Sequence, residues 1–191
     1  MPLDLSELFK AYNRFKDAYA DLVAYIQDKP LEILVEVENA FSHLMVALES
    51  PEAEEARVNL SKAVSHLQRA TLDCYKLLWV RLGEDLESLL RDQKKRLALS
   101  VKEQEFWSKW EKFKEKSREA RKLEIDNVGV NPLASIEAYQ EACDIAWSIL
   151  ERVDEAKYSE VKKFALKSKI WELVVSGLIG ALLSYFLCKL F

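Results

Sequence analysis

Glycine and proline are scarce, four of each in 191 residues. A chain so short of turn formers cannot alternate many short strands, and with 31 % charged residues it suits long helices. Histidine is rarer still: His43 and His66 are the whole supply. The three cysteines, Cys74, Cys143 and Cys188, are scattered without a CxxC pair. That spacing excludes a disulfide framework and a zinc site, and predicts reduced, buried thiols. No glycine-rich phosphate loop, no Ser-His-Asp order and no strand–turn–helix signature occurs, which removes P-loop and Rossmann nucleotide chemistry. No cofactor and no metal are expected. The opening MPLDLSELFK is polar and acidic, unlike a secretory signal.

What the chain does contain is helical periodicity. Leu5, Leu8, Tyr12, Phe15, Tyr19, Leu22 and Ile26 step by three and four, predicting a first helix over 4–28. Asp28-Lys29-Pro30 ends it, because the residue before proline resists helical geometry. A second helix runs from Pro30 to about Glu49 on Leu34, Val37, Phe41, Leu44 and Leu48. Ser50-Pro51 with Glu52, Glu54 and Glu55 restarts the chain: a capping serine, a first-turn proline and acids at the positive end of the dipole. The third helix, about 51–82, carries Ala56, Leu60, Ala63, Leu67, Ala70, Cys74 and Leu77, its alanines implying close packing. Gly83 ends or kinks it, and a fourth helix follows from Glu84 to about Asp126. The loop 126–132 leads to a fifth helix from Pro132, with Ile136, Tyr139, Cys143, Ala146, Leu150 and Val153 inward and no breaker after it. The fold class expected is all-α, a long-helix antiparallel bundle over 1–169 with a single C-terminal transmembrane helix over 170–191.

That last stretch, IWELVVSGLIGALLSYFLCKLF, holds one acid and one base. Its length is about 33 Å as a helix, enough for a bilayer core of about 30 Å. Lys157, Lys162, Lys163, Lys167 and Lys169 precede it, which predicts a single-pass inner-membrane protein with its large domain cytoplasmic. Glu172, Ser176, Gly177, Gly180, Ala181 and Ser184 form a small-residue face: either it faces a self-associated helix ring or narrow pore, or Glu172 lies at the interface and touches only headgroups. The partners expected are membrane lipid, further copies of the chain as a homo-oligomer, and a cytoplasmic protein or RNA.

Two further groups of residues bear chemistry. Asn59, His66 and Asp73 recur every seventh position on the third helix, with Lys62 and Arg69 beside them. Imidazole beside a base and a carboxylate suits proton transfer on RNA, while the same stripe also suits solvated i,i+4 pairing. The other is the basic and aromatic run Trp107, Lys109, Trp110, Lys112 and Lys114. Between Arg91 and Ile125 there are twelve Lys or Arg against seven Asp or Glu. Such a surface fits RNA, anionic lipid or an acidic partner, or else covers the bundle with its aromatics and leaves the lysines in water.

The run ENAFSHLMVAL with EEARVNLSKAVSHLQRATLDCYKLL resembles the helical core of HEPN-type domains, found in prokaryotic antiphage and CRISPR-associated proteins. The resemblance covers about residues 4–100. Active members pair an arginine with a histidine, R-x(4–6)-H, to cut RNA. Here Asn59 stands six residues before His66 and Arg57 lies too far upstream, so the chain departs from the cutting pattern. The resemblance also extends to small membrane-anchored CRISPR accessory proteins that assemble into pores. Together these readings predict a non-enzymatic effector that self-associates and perturbs or perforates a membrane in antiphage defence. The alternatives are a tail-anchored HEPN-type ribonuclease using His66, and a membrane-tethered adaptor for a cytoplasmic partner.

Overall fold

The structure, a computed structural model, describes residues 3–127 and 132–190, the side chains of 182–184 and 186–190 excepted. Seven helices account for it: α1 (Ser6–Ile26), α2 (Leu31–Glu49), α3 (Ala53–Arg91), α4 (Gln93–Leu97), α5 (Glu103–Asp126), α6 (Leu133–Leu150) and α7 (Glu155–Leu190). The all-α expectation agrees with this, and no strand occurs among the described residues.

The spine is α3, whose 39 residues extend about 58 Å. Against it pack α1, α2 and α6, and α5 covers α6. The partners divide its length. Contacts such as His43–Asn59 and Glu36–His66 lay α2 antiparallel along the N-terminal half. On the C-terminal half, Cys143 reaches the Tyr75 carbonyl and Tyr139 tilts against Trp79. The core line Cys74, Leu78, Leu82, Leu86 and Leu89 is sealed, each at most 1 % exposed. It passes straight through Gly83, which neither ends nor starts a helix. Burial pushes the Cys74 thiol up to about 12 and raises Cys143 as well, so both stay protonated and inert at neutral pH. Cys188 lies outside the described residues.

A polar network fastens the three helices of the C-terminal half. Glu124 on α5 receives Lys76 of α3 at 2.8 Å, Arg121 at 2.8 Å and the Tyr139 hydroxyl of α6 at 2.7 Å. Burial alone would push the Glu124 carboxyl up; the hydrogen bonds from Lys76, Tyr139 and Arg121 outweigh it and hold it below the ordinary value.

Two breaks differ from the sequence expectation. The predicted fourth helix is interrupted after Arg91, where Asp92 Oδ1 accepts the amides of Lys94 and Lys95 and caps the short α4. The helix from Pro132 also stops, at Leu150, and does not run on as one rod. Between these breaks Ser100 donates to the Arg152 carbonyl, Asp154 donates to the Ala98 carbonyl, and Leu99 and Val153 form an isolated bridge. Residues 128–131 of the predicted loop lie outside the described residues.

The membrane assignment is overturned. No helix of the described residues is long and apolar enough to cross a membrane. The single C-terminal transmembrane helix over 170–191 is therefore corrected, and with it the tail-anchored and pore-forming readings and the single-pass inner-membrane localisation. The physical reason lies in α7, which is continuous through residues 169 and 170 and bears charges throughout its first half, as far as Glu172. Lys157, Glu160, Lys162, Lys163, Lys167, Lys169 and Glu172 precede any long apolar run. After Glu172 the sequence is uncharged from Leu173 to Cys188, about 24 Å of helix, against a hydrocarbon core of about 30 Å.

Candidate functional site

The polar residues singled out on α3 meet α2, not solvent alone. Antiparallel packing brings Glu36 and His43, seven apart on α2, against His66 and Asn59, seven apart on α3. The two imidazoles stack, with ring centres 5.2 Å apart and planes 21° from parallel. His66 Nδ1 lies 2.7 Å from the Glu36 carboxylate, and Arg69 Nε approaches the same oxygen at 3.7 Å. A terminal guanidinium nitrogen of Arg69 also stands 3.4 Å from His66 Nε2. His43 Nδ1 lies 3.0 Å from Asn59 Oδ1, while Asn59 Nδ2 donates to the Glu55 carbonyl.

This arrangement behaves as a clip. With Nδ1–H donating to Glu36, His66 is held to α2, and a terminal nitrogen of Arg69, 3.2 Å from Nδ1 and 3.4 Å from Nε2, lies against its ring. Asn59, at the position where the HEPN pattern has arginine, is tied to His43 and to its own helix, and an amide cannot neutralise a phosphate. Asp73 stands two turns further along α3, about 10 Å from His66. Its carboxyl is raised chiefly by burial and pairs with Lys76 at 3.6 Å. The structure thus brings His66 and Asn59 together with His43 and Glu36, and leaves Asp73 in other company.

Beside the clip lies an apolar groove. Although α1 and α2 both pack on α3, their backbones do not approach each other. The gap between them holds about 530 Å³ and is lined by Leu8, Phe9 and Tyr12 of α1, Val37, Glu38, Ala40, Phe41 and Leu44 of α2, and Leu67 of α3. Phe9 is 58 % exposed and Phe41 61 %. The reason is a displaced stripe: α2 turns Ile33, Ala40 and Ala47 onto α3, where alanines permit close approach, so Leu34, Phe41 and Leu48 face outward. Contiguous exposed apolar surface of this kind marks an interaction site.

A second unpartnered apolar surface is α7. Among the described residues only α4 packs against its backbone. Trp171, Leu173, Val175, Leu178 and Ile179 all stand exposed. Glu172, Ser176, Gly177, Gly180 and Ala181 are exposed too, and a Cβ on either glycine would meet nothing within 4 Å. The Ser184 side chain lies outside the described residues.

The basic and aromatic run sits on α5 facing two ways. Phe106 and Phe113 are buried, Trp110 stacks on Phe113 at 5.7 Å, and Trp107 is 39 % exposed. Lys109 pairs with Glu105 at 3.2 Å and Lys114 with Glu111 at 2.7 Å, while Lys112 is exposed. Sequence reasoning had not identified Glu36, thirty residues from His66, or the groove. No metal-binding group of histidine, cysteine and acids occurs among the described residues. No family model, curated protein or solved structure matches this chain.

Proposed function

We propose that this protein is a non-enzymatic, self-associating helical effector whose assembly surface is the exposed apolar face of α1 and α2. The observation that supports it is the outward turn of Phe9 and Phe41 over a groove that none of the described residues fills. Fully burying a phenylalanine contributes about 1.5–3 kcal/mol, so a few such side chains suffice to drive association. The resemblance of the α2–α3 hairpin to HEPN-type domains supports a place in prokaryotic defence, with assembly as the event that changes activity. Light scattering on the purified chain tests the reading: a reversible assembly at a multiple of 22.1 kDa is expected, and a monomer of 22.1 kDa contradicts it.

A second reading, RNA cleavage centred on His66, draws support from the stacked pair His43–His66. The Glu36 carboxylate on His66 Nδ1 and the amide of Asn59 favour the first.

A further inference from the structure

We infer that the occupant of the α1–α2 groove is the α7 helix of a second copy, so that the protein assembles head to tail. This rests on the self-association proposed above and names the segment that carries it.

The placement of the two apolar surfaces comes first. The base of α7 is fixed at the far end of α3, where the Tyr158 hydroxyl donates to Asp92 at 2.8 Å. The groove is floored by Leu67. Twenty-five residues of α3 separate Asp92 from Leu67, about 37 Å of helix. A continuous helix rooted at one end and exposed on all sides from Leu166 to Ala181 cannot also lie in a groove at the other end without breaking. The chain therefore presents a tail and a receptacle that it does not join within itself.

Charge selects the same pairing. Helix α2 carries Glu32, Glu36, Glu38 and Glu49 and no lysine or arginine. From Glu155 to Glu172, α7 carries five lysines against three glutamates. At 100° per residue, Lys163, Lys167, Trp171, Val175 and Leu178 share one face of α7, basic toward its start and apolar further on. Among the described residues neither Lys163 nor Lys167 has an ion pair, and Glu38 on the groove wall has none either. Seating that face in the groove covers Phe41 and Phe9 with Trp171 and Leu178 and brings lysines to Glu38 on the α2 wall, away from Lys16, which lies over Tyr12 on the α1 wall. Each copy then offers one tail and one groove, a heterologous contact that closes into a ring or continues as a filament.

Two full-length variants test this: Phe41→Asp in the groove and Leu178→Asp on the tail. Both side chains are exposed, so circular dichroism should report an unchanged helical fold. Each variant alone should fall to the 22.1 kDa monomer. Mixed in equal amounts, they should form a complex of two chains and no larger, because the intact tail of one enters the intact groove of the other and neither remaining surface can extend it. If both variants are monomeric but the mixture stays monomeric too, the contact is not tail to groove, and this inference falls while self-association stands. Wild-type mass in either single variant overturns it equally. A wild-type chain that is itself monomeric removes the broader reading. If the chain floats with phosphatidylglycerol vesicles and Leu178→Asp abolishes that while leaving the assembly mass unchanged, the tail is for lipid and the inference is overturned.

Discussion

Glu36 does most at the residue scale, because it turns two separate helices into one polar joint. Its carboxylate takes His66 and Arg69 together, and His43 stacks beside them. His66→Ala leaves Glu36, a quarter exposed, without its imidazole and removes the stack. We expect a loss of about 1–3 kcal/mol in urea unfolding, the cost of stripping a partly buried acceptor. The native protein should leave single-stranded RNA intact, so the substitution should change stability and no cleavage rate. Cleavage that His66→Ala abolishes would promote the ribonuclease reading. Glu124 gives a pH signature of its own. Its native carboxyl lies below the ordinary value, so its stabilisation is present above the unfolded value of about 4.3 and is lost as pH falls through the depressed native value. Glu124→Gln should cost about 2 kcal/mol at neutral pH and flatten the acid limb of the stability curve; an unchanged acid limb would deny Glu124 that role.

At the scale of elements, the period of apolar residues shows which segments are helical, and Pro30, Pro51 and Pro132 mark starts that the fold keeps to within two residues. The breaks at Asp92 and Leu150 were not legible, since neither carries glycine or proline. They exist because Asp92 caps α4 and residues 98–100 bond to residues 152–154, a tertiary pairing that no local pattern shows. The outward turn of Phe41 was hidden for a related reason. Two adjacent apolar lines run along α2, and only the presence of α3 decides that the alanine line goes inward. Of the polar site, His66 and Asn59 could be read from their spacing on one helix, but Glu36 required the antiparallel register. Gly83 supplies a prediction at this scale. It sits inside α3, and an added Cβ would meet the Phe113 ring at 3.7 Å, an ordinary contact. Gly83→Ala should therefore raise stability by about 0.5–1 kcal/mol in thermal or urea unfolding; a destabilised variant would mean that α3 needs the glycine's freedom.

For the whole molecule, the division of α3 sets where the proposed assembly surface lies. Its C-terminal half is sealed by α5, α6, the end of α1 and the Glu124 network, while among the described residues its N-terminal half is covered by α2 and the start of α1, held apart. Stability is concentrated at one end, and the other end keeps apolar surface open. At the sealed end, α4 and the Leu99–Val153 bridge root α7 and direct it away from the bundle. Sequence composition pointed to a C-terminal helix of unusual apolar character, and self-association was expected of it. The described structure overturns the bilayer as its destination, because the charges of α7 reach as far as Glu172 and leave too short an apolar span. Sedimentation velocity of the intact chain over a wide dilution range tests the claim of self-association most directly. The account predicts a sedimentation coefficient that rises smoothly with concentration and returns on dilution. A single 22.1 kDa species at every concentration would contradict it.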